Sequence, residues 1–378
     1  MPAAQIYSIV NTIADNIGYT GQAVVDTSSF VAFGQAALTG QKEAVYNQLY
    51  NLIGRTVIAI DEAEDDGRGI VVDAFSYGAI LQKISFQSQA AEVSSEWDMA
   101  NPENPYTEVR KTGVVTKYFE NKIPTFSWKD VAYDTQLEES FRDPQSLAGF
   151  TDGLFIRMRN AYKRAKTGLS DAAIGSLIAY IYDDTNDMNY SRRVRKLVTE
   201  YNTIYGTSLT SATALADDGY KEYVRKQILT DKKNLDKLTH LYNTIGASGS
   251  EIPIDRRSTD DDLRLDLSLE LTTSFARYYG DTFNEEYVQL PAYNEVVNWG
   301  VATDPNKVVI SLDGGTTTIT VDNILGVMYD RDAVVATMDR ERFVNIYDQW
   351  NDRNVFKLTA NRRYICDPTE NAIIYLNA

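Results

Sequence analysis

Residues 263–271 read Leu263-Arg264-Leu265-Asp266-Leu267-Ser268-Leu269-Glu270-Leu271. Five leucines alternate with polar residues, and this period of two is typical of a β-strand that is buried on one face. The segment also divides the chain, because helical periodicity dominates before it and strand periodicity after it. Helices followed by a strand-rich end indicate an α+β protein.

Three helices are predicted in the middle of the chain, between residue 143 and this strand. Asp143-Pro144 begins a long helix over residues 144–166, which ends near Gly168. A second helix carries Ile174, Leu177, Ile178 and Ile181. Asp217-Asp218 cap a third, whose apolar stripe extends from Tyr220 through Leu238 to Tyr242 and which includes His240 near its end.

The residues after the strand predict an all-β region. Residues 308–312 and 316–321 flank Asp313-Gly314-Gly315, which is typical of a hairpin turn. Residues 324–329 form a further strand, and three short strands are expected within residues 343–376.

The first 120 residues predict an arm followed by an extended hairpin. Apolar residues recur at helical spacing over 6–17, before Gly18, and over 41–53, before Gly54. Residues 79–87 and 107–119 alternate as strands around a polar connection, 88–105. A hairpin with so few apolar residues is marginal in water on its own, which indicates that it lies on a partner subunit.

Composition and charge restrict the function. The 378 residues are 43% hydrophobic and carry a formal net charge of −16, without a long Lys/Arg run of the kind that neutralises phosphates. The single cysteine, Cys366, excludes an internal disulfide, and neither a signal peptide nor a spanning helix is expected. We therefore expect a soluble protein made in a cytoplasm. Twenty-five tyrosines against thirteen phenylalanines suggest extensive interfaces, although a core could hold them equally well.

Catalytic and metal-binding patterns are weak. His240 is the only histidine and is interpreted as a helix-surface residue, and Cys366 as a small buried hydrophobic residue. Asp260-Asp261-Asp262 is expected to cap a strand or turn. A loose match to a calcium-binding loop is formed by Glu62, Glu64, Asp66, Gly67 and Asp73. The match is loose because Glu stands at its start, where Asp is expected, and Asp at its end, where Glu is expected. We predict no enzyme activity, no cofactor and no metal. Counting carboxylates leaves a glycosidase-like acid pair open as an alternative.

The order of these elements resembles the Hong Kong 97-type capsid fold, particularly that of short-tailed, phi-29-like phages. The strongest local match is Ile324-Leu325-Gly326-Val327-Met328-Tyr329-Asp330-Arg331-Asp332-Ala333. Residues 52–57 are similar to the entry from the arm, 79–119 to the extended loop (E-loop), 122–126 to its return and 144–166 to the spine helix.

The resemblance implies a domain plan and a role. Residues 1–54 would form the N-terminal arm, 55–165 the peripheral domain with the E-loop and spine helix, 166–320 mainly the axial domain, and 321–378 a returning β-rich segment. The protein would be the major capsid protein, assembling into hexamers and pentamers of an icosahedral shell around double-stranded DNA. Scaffolding and portal proteins would be partners, without sequence-specific DNA binding or a membrane.

Subunit contacts are expected on the E-loop. The candidate residues are Trp97, Tyr106, Tyr118, Lys111 and Lys117. Some relatives cross-link a loop lysine to an asparagine of a neighbour, and Lys111 or Lys117 with Asn351 or Asn354 could take these roles, but no motif singles them out. Two alternatives stay open: an encapsulin-like nanocompartment shell, and an acidic polysaccharide-active enzyme.

Overall fold

The computed structural model describes residues 3–21, 23–40, 44–45, 48, 70–72, 80–86, 114–120, 125–185, 192–243, 255–280, 290–312, 317–348, 350–351 and 353–378. The chain forms two compact units. Unit 1 comprises Met1–Ser76, Lys122–Leu169 and Ala336–Arg363, and unit 2 comprises Tyr77–Asn121, Ser170–Val335 and Tyr364–Ala378. The class is α+β, as predicted.

The described helices are α1 (Ala3–Asn16), α2 (Thr27–Gly40), α3 (Asp134–Ser140), α4 (Pro144–Thr185), α5 (Leu197–Tyr205), α6 (Ser211–Ala214), α7 (Asp218–Leu235) and α8 (Leu269–Gly280). The strands are β1 (Val71–Val72), β2 (Ile80–Phe86), β3 (Val114–Glu120), β4 (Thr125–Tyr133), β5 (Val194–Lys196), β6 (Leu263–Ser268), β7 (Asn294–Val296), β8 (Val308–Leu312), β9 (Thr317–Val321), β10 (Ile324–Asp330), β11 (Val334–Asp348), β12 (Arg353–Cys366) and β13 (Ala372–Leu376).

Unit 1 contains a four-stranded sheet and an aromatic core. The strand order is β1-β11-β12-β4, with β12 and β4 antiparallel and β1 and β11 parallel. The core joins residues of α1 and α2 to the start of α4. Phe30 stacks on Phe141 with ring centroids 5.6 Å apart, and Leu154, Met158 and Phe356 are buried in the same cluster. These apolar contacts hold the N-terminal helices within unit 1.

Unit 2 contains a five-stranded mixed sheet of order β5-β13-β10-β6-β7. The central strand β10 is antiparallel to both β13 and β6, whereas β5 and β7 pair in parallel at the two edges. Helices α5, α7 and α8 supply the other side of the core, in which Tyr220, Val224, Leu267, Met328 and Tyr375 are buried. The central strand β10 is accordingly buried at every residue.

Both predicted hairpins are confirmed as antiparallel pairs. The register of β2 and β3 runs from Ile80 opposite Glu120 to Phe86 opposite Val114. In the second hairpin, β8 pairs with β9 from Val308 opposite Val321 to Leu312 opposite Thr317. Within the described strands each pair is a separate two-stranded sheet.

The helix boundaries differ from the predictions in two places. The segments 144–166 and 174–181 belong to one helix, α4, which continues through Gly168. A single glycine costs a helix about 1 kcal/mol, and the burial of Leu169, Ile174 and Ile178 outweighs that cost. Helix α7 ends at Leu235, so the prediction of a helical stripe reaching Leu238 and Tyr242 is wrong.

The end of α7 is decided by pairing with a distant segment. Ser258 donates its backbone N–H to the carbonyl of Leu235 at 3.0 Å, and Thr239 forms an isolated antiparallel bridge with Arg256. These hydrogen bonds take up backbone groups that would otherwise continue the helix. Tyr242 is nevertheless buried, whereas Leu238 is exposed.

The leucine-rich strand is shorter and more deeply buried than predicted. β6 ends at Ser268, and Leu269 begins α8, where the Ser268 hydroxyl accepts the backbone N–H of Leu271. Asp266 and Ser268 are also buried, so the expected solvent face is absent over residues 265–268 of this strand. The reason is that β6 lies between β10 and β7 and beneath α8, and its polar residues find partners there.

Other predictions at the chain ends were partly correct. The helix before Gly18 is confirmed as α1, whereas α2 was not predicted, and residues 41–53 lie mostly outside the described residues. The three short strands expected within 343–376 are two long strands, β11 and β12, and one short strand, β13. The strand over 324–329 is confirmed as β10.

Candidate interaction surfaces

The hairpin β2–β3 carries two of the five candidate contact residues. Its register pairs Lys117 with Lys83 and Tyr118 with Gln82. Trp97, Tyr106 and Lys111 lie outside the described residues. Because a two-stranded sheet is marginal on its own in water, the hairpin requires a surface to lie on. The structure therefore retains the hairpin as a candidate surface without testing the five residues.

The segment between β11 and β12 is a second candidate surface. The sequence offered Asn351 of this segment for a cross-link, but Trp350 was not predicted to be a contact residue. Trp350 has 96% of its surface exposed, and Ile346, near the end of β11, has 60% exposed. A fully exposed tryptophan is unusual, since this side chain is normally buried over most of its area. The signal in the sequence was a tryptophan within the polar stretch Asp348-Gln349-Trp350-Asn351-Asp352.

The Asp348 carboxylate organises this turn. It accepts hydrogen bonds from the backbone N–H of Trp350 at 3.2 Å, from Asn351 Nδ2 at 2.9 Å and from Arg353 Nε at 2.8 Å. The hydrogen bonds from Asn351 and Arg353 lower the pKa of Asp348, because they stabilise its charged form. The turn is thus fixed by one carboxylate that stays ionised at neutral pH. The side chain of Asn351 is one of the donors that hold this carboxylate.

The sequence motif that carried the family resemblance, residues 324–333, has a structural role in unit 2. An added Cβ at Gly326 would lie 2.6 Å from Leu267 Cδ2 and 2.8 Å from the Asp266 carbonyl oxygen, so close strand packing requires glycine. Asp330 accepts the backbone N–H of Asp332 at 2.9 Å and the hydroxyl proton of Ser258. The motif therefore ends strand β10 and fixes the short turn, Arg331–Ala333, that follows it.

A largely buried polar network joins four elements of unit 2, β5, α5, α7 and β13. Arg195 donates to Asp231 at 3.2 Å, to Gln227 at 2.6 Å and to Glu200 at 3.2 Å. Tyr375 donates its hydroxyl to the other oxygen of Asp231 at 3.3 Å. Burial raises the pKa of Asp231 to about 6, although the charge of Arg195 opposes this shift.

The residues of the sequence that could carry catalytic chemistry lie in a loop, a strand end and a turn of unit 2. His240 lies in the loop after α7, half exposed, with Nδ1 3.0 Å from Asp255 Oδ1, so its expected helical position is wrong. Cys366 ends β12, and burial raises the pKa of its thiol, which keeps it protonated. Asp260, Asp261 and Asp262 form a turn before β6, as predicted.

In the described part of the chain, no three potential metal ligands form a group. The calcium-like residues Glu62, Glu64, Asp66, Gly67 and Asp73 lie outside the described residues. No described helix has the length and apolar character that crossing a bilayer requires.

Comparison with known proteins gives one match that spans nearly the whole sequence. The model of the Phi29-like phage major capsid protein family matches residues 7–376. A search of curated proteins found no match.

Several solved phage structures are similar to this chain. A chain of the Staphylococcus phage Andhra capsid superposes with a TM-score of 0.52 at 10% identity, covering 82% of this chain and 83% of that one. A chain in the structure of the head fiber and inner core protein gp22 of bacteriophage P68 has a TM-score of 0.49 at 11% identity, with coverages of 82% and 83%. The mature capsid of bacteriophage PhiM1 gives 0.42 at 11% identity, with coverages of 82% and 86%. The similarity to the Andhra capsid chain indicates a shared fold.

Proposed function

Because the chain belongs to the family of Phi29-like phage major capsid proteins and is a capsid shell protein with the Hong Kong 97-type fold, we propose that it forms hexamers and pentamers that close into an icosahedral shell around double-stranded DNA. The family match over residues 7–376 carries this proposal. Closed shells of one subunit reuse the same surfaces many times, so function depends on contacts between copies.

The family assignment also bears on the alternatives. A phage capsid family does not favour a nanocompartment shell or a polysaccharide-active enzyme. We infer that the protein has no catalytic activity and acts mechanically. The protonated state of the Cys366 thiol supports this inference, because burial raises its pKa and a nucleophilic cysteine acts as the thiolate.

We propose that the β2–β3 hairpin is the E-loop and lies over a neighbouring subunit. Its separation from the other described sheets supports this role, because a partner would supply the surface that it needs. Trp97, Tyr106 and Tyr118 would be its apolar contacts, since aromatic side chains supply much of the energy of interfaces. Lys111 and Lys117 would provide positive charge towards acidic neighbours.

The domain plan is likewise a proposal. The peripheral domain would comprise residues 55–165 with the spine helix, the axial domain mainly 166–320, and residues 321–378 would return to complete both. The composition of the two units supports a returning segment, because Ala336–Arg363 belongs to unit 1 and Tyr364–Ala378 to unit 2. Residues 1–54 would form the N-terminal arm.

The remaining partners are proposed from charge and from the assembly of such shells. A net charge of −16 suits a wall that encloses DNA without adhering to it, because like charges repel. Scaffolding and portal proteins would guide closure, and assembly would take place in the host cytoplasm before the protein becomes part of the virion.

Electron microscopy tests the proposal. The full chain is expressed with the phage's candidate scaffolding protein, treated with nuclease, and imaged after purification by sedimentation. We expect closed shells with hexameric and pentameric units. Small shells filled with host protein would support the nanocompartment alternative, and a monomer under all assembly conditions would contradict the proposed function.

A further inference from the structure

The end of helix α7 carries positive charge on a chain that is otherwise acidic. Residues 225–237 contain five basic and two acidic residues, a net charge of +3, which leaves −19 on the rest of the chain. Lys226, Lys233 and Lys237 are exposed, and none of the three has a carboxylate partner among the described residues. Lys237 continues the last turn of the helix, since its backbone N–H donates to the carbonyl of Asn234 at 3.2 Å. The three lysines therefore share one face, because residues separated by four or seven positions do so on a helix.

Two exposed leucines stand directly after these lysines. Leu238 has 66% of its surface exposed and Leu241 has 42%. The helix dipole favours lysines in the last turn of a helix, so the lysines alone indicate no partner. The dipole does not account for two exposed leucines in the loop beyond the helix, and their combination with uncompensated charge distinguishes this part of unit 2. We define the α7-end surface as Lys226, Lys233, Lys237, Leu238 and Leu241.

The loop that carries the leucines is held by hydrogen bonds. Arg257 donates its Nε to the carbonyl oxygen of Asp236 at 2.7 Å and its Nη2 to the Asp236 carboxylate at 2.9 Å. Thr239, which lies between the two leucines, pairs with Arg256 in an antiparallel bridge. A surface fixed before binding loses less conformational entropy when a partner covers it.

The chemistry of the α7-end surface indicates an acidic protein segment with apolar side chains. Lysines attract carboxylates and phosphates alike, but a nucleic acid would leave the leucines in contact with water. A membrane-binding surface needs a larger apolar face than two leucines provide. A permanent subunit interface commonly buries about 2,000 Å² or more and is mainly apolar, whereas this surface is small and mainly charged. These properties favour a partner protein that binds and dissociates.

We propose that the α7-end surface is a docking site for an acidic amphipathic helix of a second protein. Such a helix offers both kinds of group at once, since its acidic and apolar side chains occupy adjacent faces. Its carboxylates pair with the three lysines, and its apolar side chains cover Leu238 and Leu241. His240 of the same loop takes no part, because its imidazole is engaged by Asp255. The inference goes beyond the proposed function, and binding of this partner does not require assembled shells.

Fluorescence anisotropy with a labelled peptide tests the proposal. The probe is a synthetic amphipathic helix with leucine on one face and glutamate on the other, and the full unassembled chain is titrated into it. Two control peptides replace every glutamate by lysine or every leucine by glutamine. We expect saturable binding of the probe with a micromolar Kd, and binding of both control peptides that is about tenfold weaker or more. No saturable binding of the probe, or equal binding of the glutamine peptide, would overturn the proposal.

Substitutions locate the binding site. The double variants Lys233→Glu with Lys237→Glu and Leu238→Ser with Leu241→Ser should each weaken binding of the probe about tenfold, because each removes one of the two kinds of contact. Unchanged binding in either double variant would mean that the probe binds elsewhere or through one kind of contact only, and the proposal would be wrong.

Matched controls separate the site from general effects of charge and folding. Lys129→Glu in β4 changes an exposed lysine, and Ile204→Ser in α5 changes an exposed apolar residue. Both should bind the probe like the wild-type chain. Thermal unfolding of all variants should also match that of the wild-type chain, because the substituted side chains are exposed. Weaker binding in the two controls would assign the effect to overall charge and apolar area, against the proposed site.

Competition and sedimentation identify the class of partner. Duplex DNA and phosphatidylglycerol vesicles should not displace the probe, and displacement by either would refute a protein partner. Sedimentation velocity of the leucine double variant should show the same association state as the wild-type chain, and a lost oligomer would assign the surface to a second copy instead. Shells without probe binding would refute this inference alone, and probe binding without shells would refute the proposed function alone.

Discussion

The carboxylate of Asp231 lies 3.2 Å from the guanidinium of Arg195, in a part of unit 2 where Asp231 has no exposed surface. Two effects oppose each other at this pair. Desolvation disfavours the charged carboxylate, and the nearby positive charge favours it. Desolvation is the larger effect, because the pKa of Asp231 is raised from 3.8 to about 6.

This raised pKa gives a testable pH dependence. Between about pH 4 and pH 6 the folded protein holds a proton on Asp231 that the unfolded chain has released, so the free energy of unfolding falls as pH rises. The loss amounts to roughly 3 kcal/mol at most, from about two pKa units at 1.4 kcal/mol each. Asp231→Asn should remove this slope and unfold at pH 7 no more easily than wild type, as measured by urea unfolding across pH 4–7.

The control for this prediction is Asp218→Asn, which removes an exposed carboxylate of the same helix and should leave the slope unchanged. A slope that persists in Asp231→Asn would assign it to other groups. A clear loss of stability of Asp231→Asn at pH 7 would mean that attraction to Arg195 outweighs the cost of burial.

The close packing of β10 on β6 predicts opposite effects of two glycine substitutions. Gly326→Ala should reduce the free energy of unfolding by about 1–3 kcal/mol, since the new methyl group would meet the Asp266 carbonyl. Gly149→Ala should increase it by about 0.5–1 kcal/mol, because Gly149 is exposed within α4 and has open space around its Cα. Denaturant unfolding of the two variants checks both signs, and equal stability would remove the packing argument for Gly326.

The hairpin is expected to serve assembly rather than folding. Replacing residues 89–106 with a short Gly-Ser turn should leave a soluble chain that melts cooperatively, with the circular dichroism of the parent apart from the removed segment. The same variant should form no closed shells. Electron microscopy and calorimetry measure the two outcomes. Normal shells would refute the E-loop assignment, and an unfolded product would place the hairpin in the core.

His240 is expected to be dispensable. Its imidazole is half exposed and contacts Asp255 in a loop, and a hydrogen bond between such exposed groups contributes at most about 1 kcal/mol. His240→Ala should therefore assemble into normal shells with an unchanged melting curve. A well-folded variant that forms no shells would show that this loop belongs to an interface or a site.

The acidic chain is expected to bind DNA poorly. Binding to duplex DNA depends on neutralising phosphates and releasing counterions, and the net charge of −16 opposes this. In a gel-shift assay at about 0.15 M salt we expect no complex at sub-micromolar protein, either for the subunit or for intact shells. Tight, salt-dependent binding would require a basic surface that compensates for the overall charge.

Several parts of the fold could be predicted from local sequence. Strands β8 and β9 and the helix α1 follow from periodicity and glycine signals within a few residues. The motif around Gly326 was identified from the family resemblance alone. The structure explains why a glycine stands there, because strands β10 and β6 approach each other closely at this position. Sequence alone could not test whether the β2–β3 hairpin and the segment between β11 and β12 are interaction surfaces. The exposure of Trp350 in particular depends on where β11 and β12 pair and turn.

The sequence by itself determined the α+β class, the two hairpins, the acidic balance and the family, because these depend on local periodicity, composition and order along the chain. Only the tertiary structure decided that β6 is buried on both faces, that α4 continues through Gly168 and that α7 ends before His240. Each of these depends on partners distant in sequence: Tyr329 and Asn294 hydrogen bond to Asp266, apolar side chains cover α4, and Arg256 pairs with Thr239. Long-range hydrogen bonds and burial can outweigh a local helix or strand preference of about 1 kcal/mol. The pattern of neighbouring residues in the sequence does not predict such long-range contacts.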